Sequence, residues 1–436
     1  MYLRCIISLL FTAGRVLAAP RPQPNQADEV LGGYIVMMRK STTDNQFASH
    51  LRLHKRNGNP TTEAFNINGL KGYSARLSSS AIEYLNSSDQ VDFIEKNSPV
   101  HSTGWTKQHY PPWGLSRISS RNNTINGPPS LRDYVFEESA GKGTYVYIID
   151  TGINTGHKDF EGRASLGFNF AIGPNKDLFG HGTHVAGIVG SRHYGVAKKT
   201  SLISVRALDA QGLGNLFSVA KAFEWAVNDI QAKNRTAKSF INMSMGSDKN
   251  LAMNRILTEA VNAGIFIGCA AGNEAMDARM TSPASADGPC VIGATNSSDM
   301  RDLHSNWGPK IDVWAPGVNV LSTWNNGDRS INILSGTSMA TPHVVGLAAY
   351  LTVLEGPRSP RDLCQRIKQL ATTGVVTNLN GTARQVDPGN VFPDRLPLVN
   401  SPSLNLLAFN GKPLNGKNSI TSEIWPDQQW MGIDTE

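Results

Sequence analysis

An α/β fold, with a parallel sheet flanked by helices on both faces and a small α+β unit in front of it, is predicted by two patterns in this 436-residue chain. From about residue 145 onward, short β-branched apolar runs alternate with stretches whose apolar residues recur at helical spacing, which implies a buried parallel sheet. Between Gly32 and about Asn97 the elements are shorter and read strand, helix, strand, helix, strand, and a loop containing Gly104, Pro111 and Pro112 sets them apart. The length suits one large and one small domain. A composition of 40% hydrophobic and 17% charged residues with 41 Gly fits a compact, turn-rich protein and excludes disordered or fibrous classes.

The first residues, Met1 to Ala19, read as a secretion signal. Arg4 precedes the apolar stretch Cys5 to Ala13, and Val16-Leu17-Ala18-Ala19 offers small residues for cleavage. That apolar run is too short to cross a bilayer, so the expectation is a secreted protein without a membrane anchor. With Cys5 removed, Cys269, Cys290 and Cys364 remain for an oxidising compartment, and one of them must stay unpaired. Asn-x-Ser/Thr sequons begin at Asn86, Asn122, Asn234, Asn242, Asn296 and Asn380, in keeping with secretion.

In the small unit the predicted strands are Tyr34–Met38, Tyr73–Leu77 and Val91–Glu95, and Ser80-x-x-Glu83 offers a capping box for the second helix. The pattern resembles a ferredoxin-like α+β unit. A loop is predicted from Ser98 to Pro112. Beyond it, strands are predicted at Tyr145–Asp150, Ser201–Ala207, Ser239–Met245, Ile265–Ala271 and Cys290–Thr295. A helix after a cap at Asn215 carries Leu216, Val219, Ala220, Phe223, Val227 and Ile230 on one face. In such a sheet the active site lies at the carboxyl ends of the strands. Residues Asn380–Ser403 read as irregular, and those after Asn410 as a polar tail. The formal charge of +6 comes from scattered Lys and Arg with no long basic run, so no nucleic-acid partner is expected.

Three segments carry residues suited to nucleophilic catalysis. Asp150 follows the apolar strand Val146-Tyr147-Ile148-Ile149, although a lone Asp there also reads as a turn or cap residue. Gly180-His181-Gly182-Thr183-His184 places an imidazole at the start of a small-residue helix, where His181 and His184, three apart, also read as metal ligands. Leu334-Ser335-Gly336-Thr337-Ser338-Met339-Ala340-Thr341-Pro342 places Ser338 where a strand turns into a helix, with Pro342 in the first turn. A serine there is ordinarily a cap. Its backbone N–H is also free to meet an anion. A fourth segment, Ala270-Ala271-Gly272-Asn273, follows another apolar strand. No Gly-x-Ser-x-Gly surrounds Ser338 and no His-Glu-x-x-His occurs, which sets aside the esterase and zinc-protease patterns.

The order Asp150, His181, Ser338, with these flanking residues, resembles the subtilisin family and most closely its proteinase K branch, from about Trp113-Gly114-Leu115 to Asn405-Leu406-Leu407. The resemblance implies a serine endopeptidase with no catalytic cofactor. Ser338 would be the nucleophile, His181 the general base, Asp150 its orienting carboxylate and Asn273 the side-chain donor to the oxyanion. It implies that Gly212-Leu213-Gly214 and Ser244-Met245-Gly246 pair with an extended substrate peptide. The S1 pocket would lie between Ser244–Gly246 and Ala270–Gly272, lacks a charge and favours apolar or aromatic P1 residues. Met245 reads equally as core packing.

The same resemblance implies a disulfide between Cys290 and Cys364, leaving Cys269 free. Tyr145 stands at one position of a second disulfide of that branch, and Val185 where some relatives carry a cysteine. A structural calcium maps onto the carbonyls of Asp287 and Pro289 and the carboxylate of Asp312, while Val375 occupies the place of a second site's carboxylate. The expected division is a signal at 1–19, an inhibitor propeptide at 20–105, a peptidase domain at 106–410 and a tail at 411–436, with maturation cleavage within His101–Gln108. The expected partners are protein and peptide substrates and the chain's own propeptide, with no membrane partner and a monomeric state.

Overall fold

The structure, a computed structural model, describes residues 33–56, 61–97, 104–125, 127, 132–379, 403–411 and 420–422. The expected signal at 1–19, residues 98–103 of the expected loop, residues 380–402 of the stretch expected to be irregular and most of the expected tail after Asn410 lie outside the described residues. The chain divides into two compact units, Met1–Ser102 and Thr103–Glu436.

In the first unit four strands form an antiparallel sheet in the order Thr61–Ile67, Leu70–Ala75, Tyr34–Met38, Val91–Lys96, with helices at Asp44–Arg56 and Ser79–Asn86. This is the ferredoxin-like order. Its core is Val36, Met38, Phe47, Tyr73, Leu85 and Val91. Sequence reasoning omitted the strand Thr61–Ile67 and placed its partner at 73–77. The cause is the Asn68-Gly69 pair, both residues at positive φ (50° and 85°), which closes a tight hairpin and starts the next strand at Leu70. The second helix is capped by Ser78 and not by Ser80: the Ser78 hydroxyl accepts from Ala81 N at 3.2 Å, so Glu83 is not at the capping-box position.

The second unit is built on a nine-stranded sheet. Its order is Thr372–Thr373, Leu406–Leu407, Val313–Pro316, Cys290–Thr295, Phe266–Ala270, Ser239–Met243, Tyr145–Asp150, Ser201–Arg206, Ala164–Asn169. Every pairing is parallel except that of the two-residue edge strand Thr372–Thr373. Alternation along each strand feeds two separate cores. Val146, Ile148, Phe240 and Ile292 face one, together with Val185, Ile188, Val344 and Leu347 from the helices His181–Gly190 and Thr337–Glu355. Tyr147, Ile149, Ile241 and Ile267 face the other, with Phe223 and Leu257 from the helices Leu216–Ala232 and Leu251–Asn262. Burial on both faces is why these strands read as continuous apolar runs.

Asn215 caps its helix as expected, its side chain accepting from Ser218 N at 2.9 Å. The helix Thr337–Glu355 is long and apolar enough to cross a membrane, but here it is a core helix with Met339, Val344, Leu347 and Leu351 buried. Part of the expected 98–112 loop is a strand instead: Trp105–Gln108 pairs antiparallel with Tyr134–Glu137, with Trp105 buried.

Candidate active site

Asp150, Met243 and Ala270 end three neighbouring parallel strands, so the residues that follow them emerge together at the carboxyl edge of the sheet. Asp150 shares strand parity with Val146 and Ile148, which puts its carboxylate on the face covered by the His181 and Ser338 helices. It is fully buried. Its Oδ1 lies 2.8 Å and its Oδ2 3.0 Å from His181 Nδ1, and Thr151 N donates to Oδ1 at 2.7 Å. His181 opens its helix, and Gly182 must lack a side chain, since a Cβ there would sit 2.2 Å from the Gly152 carbonyl oxygen. Burial acts to lower the His181 pKa, but the charge and hydrogen bond of Asp150, with a further contribution from Asp177, outweigh it and hold the imidazole above its ordinary value. His184 is not paired with it as a ligand. Its Nε2 faces the carbonyls of Val320 and Asn332, both at 3.0 Å, and burial pushes its pKa down to about 4.

Ser338 is the second residue of its helix, so its N–H has no acceptor within the helix. Pro342 lies beyond the first turn, as the sixth helical residue, contrary to the sequence expectation. Its missing N–H leaves the Ser338 carbonyl without a helical partner, and the Ser244 hydroxyl donates to that carbonyl at 2.9 Å. The Ser338 hydroxyl in turn donates to the Ser244 carbonyl at 3.2 Å, and buried Asn242 donates to Ser244 Oγ at 2.9 Å. The end of one central strand is thereby tied to the start of the serine helix.

Asn273 is exposed, and its amide orientation is fixed by two donors: Thr337 N at 2.8 Å and Thr337 Oγ1 at 3.0 Å both reach Oδ1, leaving Nδ2 free to donate outward. Gly336, at φ 140°, brings the backbone past this amide. Asn306, unnoticed in the sequence, holds the loop from behind. It is buried, donates to Ala271 O at 2.9 Å and accepts from Glu274 N at 3.1 Å and Met276 N at 3.0 Å. No local motif marks it.

Gly212, Leu213, Gly214, Ser244, Met245, Gly246 and His181 line one cleft of about 460 Å³. Asp209 fixes one wall, its carboxylate accepting from Gln211 N and Leu213 N, each at 2.9 Å. Met245 lines the cleft and also packs, partly buried, against the core. Ala270 and Gly272 are not among the residues lining this cleft. They flank the adjoining strand end.

Cys290 and Cys364 form a disulfide across 74 residues, and Cys269 is a buried free thiol whose pKa burial pushes up. The residues assigned to calcium do not fit that ion. Asp312 Oδ1 takes Lys368 Nζ at 2.9 Å, and its Oδ2 accepts from Val291 N at 3.0 Å. The Asp287 carbonyl accepts from Thr258 Oγ1 at 2.9 Å. Its carboxylate pairs with Lys310, which also donates to Ala286 O at 3.1 Å. The pocket containing Pro289 and Asp312 is further lined by Lys310, Arg361 and Lys368, so ammonium and guanidinium groups stand where a dication would need six or more oxygens. Cys290 and Cys364 also lie near Asp312, but disulfide sulfurs offer no thiolate.

The chain is similar to proteins of known family. The subtilase family profile matches residues 141–386, and the peptidase inhibitor I9 profile matches residues 33–103. Alkaline protease 1 of Aspergillus flavus is 39% identical over 412 residues, covering 91% of this chain and 95% of that protein. The cuticle-degrading protease of Metarhizium anisopliae is 41% identical over 340 residues, covering 78% and 80%. The crystal structure of a cold adapted subtilisin-like serine proteinase superposes with a TM-score of 0.60 at 33% identity, covering 70% of this chain and 99% of that one. The chain belongs to the subtilase family and is a subtilisin-like serine endopeptidase preceded by an I9 inhibitor segment.

Proposed function

We propose that the chain is secreted as an inhibited precursor and, once matured, cleaves proteins through Asp150, His181 and Ser338. The observation that carries the assignment is the buried Asp150 carboxylate 2.8 Å from His181 Nδ1, with Ser338, at the start of its helix, hydrogen-bonded to Ser244 just beyond a neighbouring strand end. With Nδ1 bonded to Asp150, Nε2 is the atom left to take the Ser338 proton. For this the hydroxyl turns from the Ser244 carbonyl toward His181 as substrate enters. Ser338 Oγ then attacks the peptide carbonyl, and the negative charge that collects on its oxygen is met by Ser338 N–H and Asn273 Nδ2. Collapse expels the amine, which takes the proton from His181, and water hydrolyses the acyl-enzyme by the reverse sequence.

Gly212–Gly214 and Ser244–Gly246 hold the substrate as an added strand, and an uncharged S1 site between Ser244–Gly246 and Ala270–Gly272 favours apolar or aromatic side chains. Maturation cuts the chain within 101–108. Pairing of Trp105–Gln108 in the second unit favours the part of that range before Trp105. The sequon at Asn242 stays unmodified, because the residue is buried. A fluorophosphonate tests the assignment: it labels Ser338 in the matured protein and leaves Ser338→Ala unlabelled. Labelling elsewhere, or full activity of Ser338→Ala, would overturn it.

A further inference from the structure

Near the triad lies a second buried carboxylate that the reaction above does not use. Asp177 stands four residues before His181 and is 6% exposed. Its Oδ1 accepts from Thr151 Oγ1 at 2.9 Å, Phe179 N at 3.1 Å and Gly180 N at 2.7 Å. Its Oδ2 accepts from Thr183 N at 2.9 Å and Thr183 Oγ1 at 2.6 Å. Donors at a helix start are what any capping carboxylate collects. Thr151 is different, because it follows Asp150 on the catalytic strand and its hydroxyl also accepts from Gly182 N at 2.9 Å. Asp177 and Thr151 together bridge the end of the Asp150 strand to both sides of His181.

We propose that Asp177 is a positioning residue for the Asp150–His181 pair, clamping the strand end to the first turn of the histidine helix so that the imidazole is already in place when substrate arrives. The inference rests on His181 acting as the general base. A bridge of this kind acts on turnover, since displacement of a catalytic group by about 1 Å can cost about 10²-fold in rate. Its charge also acts on the imidazole, beside that of Asp150. The other groups around the clamp are few. Arg206 on the adjoining strand donates to Thr151 O at 3.2 Å, Lys176 is exposed, and His184 is neutral at working pH. Asn325, in the turn between the antiparallel strands Val320–Thr323 and Ile331–Leu334, donates its amide to Asp177 O at 3.3 Å.

Two variants of the matured protein test the clamp by kcat, KM and the pH dependence of kcat/KM on a peptide anilide, with active sites counted by fluorophosphonate. Catalysis needs neutral His181, so the acid limb follows its pKa, and removing a nearby negative charge lowers that pKa. Asp177→Asn is expected to lower kcat by about 10- to 100-fold with KM within about twofold, and to move the acid limb to lower pH. Thr151→Val keeps the charge and breaks the bridge, so kcat falls while the limb stays. A purely structural Asp177 would lower the melting temperature alone. Turnover within threefold of the parent and an unmoved limb in Asp177→Asn would overturn the proposal. If that variant does not mature, undiminished kcat in Thr151→Val does so. Failure of the parent itself to label at Ser338 would instead overturn the underlying assignment.

Discussion

Replacing Asn273 by leucine removes the side-chain donor offered to the developing oxyanion and, with it, the acceptor for Thr337. The two losses have different consequences. The bonds from Thr337 N and Oγ1 at 2.8 and 3.0 Å exist in the resting enzyme, so losing them costs about 1 kcal/mol each of stability and touches ground and transition states alike. The Nδ2 donor acts only when charge reaches the carbonyl oxygen, and its loss costs about 2.7–4 kcal/mol of the barrier, the range known from subtilisin itself. At about 1.4 kcal/mol per tenfold, kcat should fall by about 10²- to 10³-fold while KM stays within about threefold. Asn273→Asp separates the contributions, because its Oδ1 still accepts from Thr337 but its second oxygen cannot donate. It should retain the melting temperature better than Asn273→Leu and be no faster. The assay is steady-state hydrolysis of a peptide anilide by matured enzyme, normalised by phosphonate titration. Turnover of Asn273→Leu within tenfold of the parent, or of Asn273→Asp near it, would refute the oxyanion role.

The Cys290–Cys364 bridge closes a loop of 74 residues, for which chain entropy gives about 4 kcal/mol, so Cys364→Ser should lower the melting temperature of phosphonate-blocked enzyme by about 6 °C. In the same preparation Cys269 should react with a thiol reagent only after denaturation, and rapid reaction in the native state would contradict its burial. Calcium should not raise the melting temperature through Asp312, because Lys368 already neutralises it. A calcium-dependent rise that Asp312→Asn abolishes would show that the lysine yields to the ion.

The central strands and the site segments were legible because their signals are local: β-branched runs for strands buried on both faces, and Asp, His, Ser and Asn placed just after such runs or at helix starts. The expected Ser201–Ala207 and Ser239–Met245 strands end one and two residues earlier, where the chain turns to build the cleft. The hairpin at Asn68-Gly69 is readable from that dipeptide, but the strand before it shows no buried face to mark it, since Glu63–Ile67 are all exposed. Trp105–Gln108 looked like linker because its pairing partner, Tyr134–Glu137, lies some thirty residues on. Asp177 and Asn306 left no trace in the sequence. Their roles arise from donors that only the folded chain brings together, and a lone acid or amide in a loop resembles any other. The lysines that exclude calcium were equally invisible: Lys368 lies 56 residues from Asp312 in the chain.

The two cores on opposite faces of the sheet also set the tolerance of the site to error. Shifting the strand Tyr145–Asp150 by one residue against Ser201–Arg206 or Ser239–Met243 would exchange its faces, moving Tyr147 and Ile149 to the side of the serine helix and turning Asp150 away from His181. Such a slip would misplace four large buried side chains at once. A folding error able to disarm the enzyme would therefore also fail to pack, so misregistered chains should be found among unfolded or degraded material and not as a folded, inactive fraction.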